Sequence, residues 1–148
     1  MQLTKHFSLD EMTVSQTASR LGIENKCPPH LISTLIRTAE GLEDIRARVK
    51  CPIIVTSGYR SEALNKAIGG SENSQHVLAE AADIICPGFG SATALAILIG
   101  ANIKELRVDQ LILEFGRWVH VSFTAGPIRN NILTIASKEE GYVTGIRV

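Results

Sequence analysis

A long amphipathic helix, predicted over residues 29–49, is the feature that most constrains how this chain can fold. Its apolar residues recur at spacings of three and four and therefore share one face: Leu31, Leu35, Ala39, Leu42, Ile45 and Val49. Pro29 suits the first turn of a helix. An apolar face of this length needs other elements to cover it, so the helix is interpreted as scaffold rather than site.

The segments that can cover this face are mainly short strands. Strands are predicted at residues 52–56, 81–86, 107–114 and 118–123, and shorter helices at 60–67 and 91–99. A further hairpin is expected after residue 123, ending near Gly141. Because helices and strands are segregated along the chain, the sequence predicts an α+β fold with a small, mostly antiparallel sheet and helices packed on one face. Residues 1–148 form a single domain in this interpretation, with residues 1–28 as a helical segment packed on it.

Composition and patterning exclude several classes of protein. The 15 basic and 15 acidic side chains cancel, and no basic block of the kind that binds nucleic acid is present. Residues 1–10 lack the apolar stretch of a secretory signal peptide. The longest apolar run, within residues 92–101, is about half of the ~20 residues that a membrane span requires. We therefore expect synthesis in the cytoplasm without a signal peptide, no nucleic-acid partner and no membrane insertion.

Three separated residues, His76, Asp83 and His120, have side chains that can bind a metal ion. Two imidazoles and a carboxylate suit Zn²⁺, and three protein ligands leave a fourth position open, as in catalytic zinc sites. A helix between His76 and Asp83 would separate them by about 10 Å along its axis, too far for one ion. We therefore predict that His76 lies on a loop that folds back onto a strand carrying Asp83. Taken singly, each histidine is more often a hydrogen-bonded structural residue than a ligand.

The motifs around these residues occur in a fixed order along the chain. They are Ser57-Gly58-Tyr59-Arg60-Ser61, Asn65, Gly69-Gly70-Ser71, Ser74-Gln75-His76, Ala81-Ala82-Asp83-Ile84 and Trp118-Val119-His120-Val121-Ser122. This series resembles the zinc D-Ala-D-Ala carboxypeptidase and L-alanyl-D-glutamate endopeptidase family, of the Hedgehog/DD-peptidase fold, and especially its short phage endolysin-like members. The likeness spans roughly residues 7–123.

The resemblance implies a zinc peptidase that hydrolyses a bond in the stem peptide or cross-link of bacterial peptidoglycan, as a carboxypeptidase or an endopeptidase. It implies one Zn²⁺ per chain on the three candidate ligands, on the sheet face opposite the helices. Arg60 would bind a substrate carboxylate or the developing oxyanion. Tyr59 and Ser74 would line the substrate cleft, although Tyr59 suits core packing equally well. A monomer acting on the cell wall after phage-type release is the expected context.

One departure from the family pattern concerns the catalytic base. Many members place an acidic residue three positions before the last histidine, where this chain has Arg117. If residues 115–117 form a three-residue hairpin loop, Glu114 faces Trp118 and lies on the metal side, one cross-strand step from His120. Glu114 is then the candidate general base. Alternatively, Glu114 only caps a solvated strand end, and the chain is a catalytically impaired zinc module that binds cell wall or has a structural role, or a zinc-free binding domain.

Overall fold

A computed structural model describes all residues of the chain, 1–148. The α-helices are α1 (Leu9–Thr13), α2 (Gln16–Leu21), α3 (Ile32–Val49), α4 (Glu62–Ala67) and α5 (Ala92–Ala101), and a 3₁₀ turn at Pro29–Leu31 precedes α3. The strands are β1 (Ile54–Ser57), β2 (Ala81–Ile85), β3 (Gln110–Glu114), β4 (Trp118–Ser122), β5 (Asn131–Ile135) and β6 (Tyr142–Thr144). No helix has the length and apolar character needed to cross a membrane.

Helix α3 is the scaffold helix that the apolar spacing predicted. The side chains of its central apolar face are completely buried: Leu35, Ala39, Leu42 and Ile45. They belong to one core cluster with the inward-facing side chains of the sheet. The helix ends at Lys50, which adopts a left-handed conformation with φ 56°. Since burial of each large aliphatic side chain stabilises the fold by about 1.5–3 kcal/mol, this face holds the helix against the sheet.

The six strands form a single sheet in the order β1-β2-β4-β3-β5-β6. All neighbouring strands are antiparallel except β3 and β5, which are parallel. The predicted α+β fold with a mostly antiparallel sheet is therefore confirmed. The parallel pair was not predicted. It arises because β2 already occupies the second edge of β4, so the next strand along the chain adds to the free edge of β3.

The central strands have one face toward the helices and one face away from them. The alternate residues Ala82, Ile84, Leu111, Leu113, Val119 and Val121 are buried in the core on the helix side. Because side chains alternate along a strand, the residues between them point to the opposite face. Asp83 pairs with His120, and His120 pairs with Ile112, so these three side chains form a row across that face.

The N-terminal segment is attached to the sheet region through Met12. Its side chain is completely buried, and its carbonyl oxygen accepts a hydrogen bond of 2.8 Å from the backbone N–H of Tyr59. Gly58 approaches the same carbonyl so closely that a Cβ atom would collide with it. A glycine at position 58 therefore lets the segment lie directly against the loop that follows β1.

Several predicted boundaries differ from the structure by a few residues, and two of these differences have a clear cause in the backbone. The strand predicted from residue 107 begins only at Gln110, since Arg107 is in a left-handed conformation (φ 57°) that interrupts an extended chain. The C-terminal hairpin exists as β5 and β6, but it does not end near Gly141. Gly141, with φ 68°, closes the turn, and Tyr142 opens the second strand directly after it.

Candidate metal centre and active site

His76 lies on a loop, as the spacing to Asp83 predicted. The loop returns to β2 through Ala79, which is completely buried and has φ 61°. The His76 ring is fixed by a hydrogen bond of 2.7 Å between Nδ1 and the carbonyl oxygen of Gly58. Because a carbonyl can only accept, Nδ1 carries the proton and Nε2 keeps its lone pair. Such a bond on the far nitrogen is the usual way in which a protein orients a metal-binding histidine.

His76, Asp83 and His120 converge on one point, and all three side chains are buried. His76 Nε2 lies 3.2 Å from Asp83 Oδ1 and 3.2 Å from His120 Nδ1, and His120 Nδ1 lies 3.0 Å from Asp83 Oδ1. Ligand atoms around a tetrahedral zinc ion, with bonds of about 2.0–2.1 Å, are roughly 3.3 Å apart. The spacing and the chemistry of the three donors therefore fit a zinc ion.

The Asp83 carboxylate is the negative centre of this group. Burial alone would raise its pKa, but the neighbouring imidazoles of His76 and His120 outweigh burial through electrostatic attraction and hydrogen bonding, and hold the pKa of Asp83 well below its ordinary value. Its second oxygen, Oδ2, lies 3.5 Å from Nη2 of Arg60. Asp83 is therefore ionised in the folded protein, which is the form that binds a cation.

The β3–β4 hairpin has the register that strand parity predicted. Glu114 pairs with Trp118 across a three-residue loop, and the aliphatic pairs of both strands share the core side. Gly116 has the expected positive φ (65°), and Phe115 also has one (55°), which was not predicted. Glu114 consequently points to the same face as His120, with Oε1 3.9 Å from His120 Nδ1. Arg117 is exposed at the end of the hairpin.

Glu114 has an environment that favours its protonated form. Burial raises its pKa to about 6, the negative charge of Asp83 adds to this effect, and the electrostatic effects of the neighbouring His120 and Arg60 side chains oppose it. A carboxyl group with a pKa near 6 accepts and returns protons efficiently at neutral pH. A strongly shifted pKa in a cleft is also a common property of catalytic groups.

Arg60 is held rigidly beside the three candidate ligands. Its Nε donates to Ser57 Oγ at 3.2 Å, and its Nη1 donates to Asn65 Oδ1 at 3.0 Å. With Nη2 near Asp83, each nitrogen of the guanidinium has a partner. Burial lowers the pKa of Arg60, while Asp83 and Glu114 act in the opposite direction. The result is a fixed cation at the edge of the group.

Of the two residues predicted to line the cleft, Ser74 does so and Tyr59 does not. Ser74 lines the cleft, and its Oγ accepts a hydrogen bond of 3.2 Å from the backbone N–H of His76. Tyr59 does not line it. The Tyr59 side chain packs in the hydrophobic core, because the chain turns there to bring its backbone against Met12 and Asn25. Core packing, the alternative open from the sequence, describes Tyr59.

The cleft over the candidate centre has a volume of about 810 Å³ and is called the main cleft below. Its walls include Arg60, His76, Glu114 and His120. They also include residues for which no role at this site was predicted: Asp109, Gln110, Arg129 and Tyr142. The only sequence signal for these residues was polar character at strand ends. Arg129 and Tyr142 come from the C-terminal region, where the sequence predicted only a hairpin.

A second cavity, of about 700 Å³, lies beside the main cleft and is called the side cavity below. It reaches Arg60 and Asp83, and its other walls include Ser15 and Thr17 of the N-terminal segment and Trp118 of β4. Arg60 therefore borders both cavities.

Comparison with known proteins identifies the family of this chain. The model of the peptidase M15 family matches residues 5–122, which covers most of the sequence and all three candidate metal ligands. No curated protein matches the chain. The family resemblance inferred from the motifs is thus confirmed, together with the class of enzyme that it implies. The chain belongs to the peptidase M15 family, the zinc peptidases related to D-Ala-D-Ala carboxypeptidase.

Proposed function

We propose that this protein is a zinc-dependent peptidase that cuts an internal bond of peptidoglycan peptides. In this proposal His76, Asp83 and His120 hold the zinc ion, Glu114 is the general base and Arg60 stabilises substrate charge. One observation carries the proposal. Three donor atoms, 3.0–3.2 Å apart, converge within the walls of a polar cleft beside a carboxyl group whose pKa is raised to about 6.

The zinc ion, when bound, would supply Lewis-acid chemistry, because it polarises a carbonyl group and makes water a stronger acid. Glu114 lies on the same face as the ligands and is close to His120. It would take the proton from the attacking water and return it to the amine that leaves. The mostly buried carboxyl group is shielded from bulk solvent, which keeps its pKa in the range required for both steps.

Arg60 suits the stabilisation of charge at the scissile carbonyl. Its guanidinium borders the main cleft, and its side chain is only 13% exposed. Ser57 and Asn65 hold it in place, so little reorganisation is needed when negative charge develops nearby. A substrate carboxylate at the same position would be bound by the same fork.

Cleavage of an internal bond is favoured over carboxypeptidase activity by the two cavities. A carboxypeptidase needs a site that closes beyond the cut bond, whereas an endopeptidase needs room on both sides. Arg60 borders both the main cleft and the side cavity, so both are within reach of a peptide bound at this residue. Action on the bacterial cell wall after phage-type release is the biological context that we propose for this activity, from the family resemblance.

A catalytically impaired zinc module is the competing function, and Arg117 is the observation that favours it. Arg117 cannot accept a proton and occupies the position where many relatives have an acidic residue. It lies at the exposed end of the hairpin, while Glu114 occupies the wall of the main cleft. The presence of this second carboxyl group supports the active enzyme.

Digestion of purified peptidoglycan tests the proposal, and mass spectrometry of the products identifies the bond that is cut. The wild-type protein should release peptides and contain one zinc ion per chain. His76→Ala should lose both properties, whereas the control His30→Ala, at an exposed position outside the cleft, should keep both. Undiminished cleavage by protein freed of zinc would refute the metal mechanism, and intact peptidoglycan after treatment with the zinc-loaded protein would favour the impaired module.

A further inference from the structure

Arg129 is fixed to the wall of the main cleft by a buried carboxylate. Its Nε lies 3.1 Å from both oxygens of Asp109, and its Nη2 donates to Asp109 Oδ2 at 2.7 Å. The backbone N–H of Arg129 also donates to Asp109 Oδ1, at 2.9 Å. Asp109 is only 2% exposed, and the Arg129 hydrogen bonds lower its pKa despite the opposing effect of burial. The guanidinium is therefore held in one orientation by an ionised partner.

One edge of this guanidinium is free. Nε and Nη2 are occupied by Asp109, and Nη2 also contacts Gln75 Oε1 at 3.4 Å. Nη1 makes no hydrogen bond within the protein, and 54% of the Arg129 side chain is exposed in the cleft wall. Arg60, by contrast, has a partner at each nitrogen. Arg129 is thus the arginine of this cleft in which one whole nitrogen, Nη1, has no partner within the protein.

The strand register locates Arg129 relative to the metal ligands. Ser122 follows His120 by two residues on the same face of β4, and its carbonyl accepts a hydrogen bond from the Asp109 backbone N–H. Two residues of strand span roughly 7 Å, so the Asp109–Arg129 pair lies about that far from His120 along the cleft. Glu114 pairs with Trp118, two residues from His120 in the other direction. An extended peptide over the centre would therefore have Glu114 toward one end and Arg129 toward the other.

A preorientated guanidinium with free N–H groups is the group best suited to bind a carboxylate. We propose that Arg129 is a specificity-determining residue that binds a carboxylate of the substrate peptide one or two residues from the cut bond, with Asp109 as its positioning residue. This inference rests on the proposed function, because it takes the ligand of the cleft to be an anionic peptide. Gln75 joins the two sites, since it precedes His76 and contacts both Arg129 and Asp109.

The inference is tested by measuring cleavage kinetics with a synthetic stem peptide and with a set of its analogues. In each analogue, one carboxylate is converted to a carboxamide. For zinc-loaded wild-type protein, one of these conversions should lower kcat/KM by about 10- to 100-fold, mainly through KM. Arg129→Gln should cut the unmodified peptide as poorly as the wild type cuts that analogue, and should not distinguish the two. Arg129→Lys keeps the charge but not the fork. Its ratio of kcat/KM for the unmodified peptide and for that analogue should therefore lie between the ratios of the wild type and Arg129→Gln.

Controls separate this result from a structural effect. Arg147→Gln, an exposed arginine outside the cleft, should behave as the wild type does. Each variant should bind one zinc ion. Each should also have the wild-type kcat on the analogue that the wild type cuts poorly, because Arg129 contacts neither the candidate ligands nor Glu114. Two results would overturn the inference and leave the proposed function standing. In one, the wild type and Arg129→Gln prefer the unmodified peptide over the analogue to the same degree. In the other, the wild type cuts the unmodified peptide and all analogues equally well. Failure of the wild type to cut any peptide would instead refute the proposed function, and the inference with it.

Discussion

Replacement of Glu114 by glutamine should slow the enzyme and stabilise the fold at the same time. Glutamine has the shape of glutamate but accepts no proton at neutral pH. Loss of a general base usually lowers kcat by 10²–10⁴-fold, and we expect a loss in this range for Glu114→Gln. Zinc content should not change, because Glu114 Oε1 lies 3.9 Å from His120 Nδ1 and Glu114 is not one of the three converging groups.

The gain in stability follows from the raised pKa of Glu114. Burial, with the charge of Asp83, raises this pKa from 4.5 to about 6 in the folded, metal-free protein. As the pH rises, Glu114 loses its proton in the unfolded chain before it does so in the folded protein. The free energy of unfolding therefore falls between pH 4.5 and 6, and the whole of this loss remains above pH 6. A shift of this size corresponds to at most about 2 kcal/mol. Glutamine removes that cost.

Urea denaturation of zinc-free protein at pH 7.5 and pH 4 measures this effect. Glu114→Gln should be more stable than the wild type at pH 7.5 by up to about 2 kcal/mol, and the difference should shrink at pH 4, where both side chains are neutral. Glu139→Gln, at an exposed position, is the matched control and should change neither stability nor activity. A destabilised Glu114→Gln, or one with full peptidase activity, would refute the assignment of a buried base to this position.

Three further changes test other parts of the structure. Zinc at 100 times its Kd should raise the free energy of unfolding by about 2.7 kcal/mol, which thermal denaturation detects, and Asp83→Asn should abolish most of that gain. Asp109→Asn should destabilise the fold by about 1–3 kcal/mol at pH 7, because Arg129 loses its charged acceptor. Since the pKa of Asp109 is lowered in the folded state, this loss should diminish in urea titrations as the pH falls below about 4. Gly41→Ala should cost about 1–3 kcal/mol in the same assay, as the added Cβ would collide with the Phe123 ring; an unchanged midpoint would contradict this packing.

The parts of the site that the sequence predicted depend on local rules. The three-residue hairpin loop followed from the need to keep aliphatic residues of two adjacent strands on one side, and this requirement fixes the side of Glu114. The loop position of His76 followed from the short separation between His76 and Asp83. In both cases the relevant residues are close in sequence, so strand periodicity and chain length determine the outcome.

The parts that the sequence did not predict depend on distant pairings. Asp109 and Arg129 meet only because β5 adds to the free edge of β3, where the Asp109 carbonyl accepts the Asn131 backbone N–H. This parallel pairing leaves no periodic signal in the chain. Tyr142 reaches the main cleft for the same reason, since β6 extends the sheet beyond β5. Polar residues at strand ends acquire partners that only the sheet order reveals.

The position of Glu114, the proposed base, shows how a carboxyl group can reach the ligand side of the sheet from a neighbouring strand. Arg117 stands three positions before His120 and lies at the end of the hairpin. Glu114 stands six positions before His120 and reaches the ligand side from the partner strand, because the three-residue loop places Glu114 opposite Trp118. Trp118 and His120 are on the same face of β4, so a long side chain from Glu114 extends toward the centre. The proposed chemistry requires a carboxyl group at this place on the sheet face, and the hairpin register supplies one without an acidic residue at position 117.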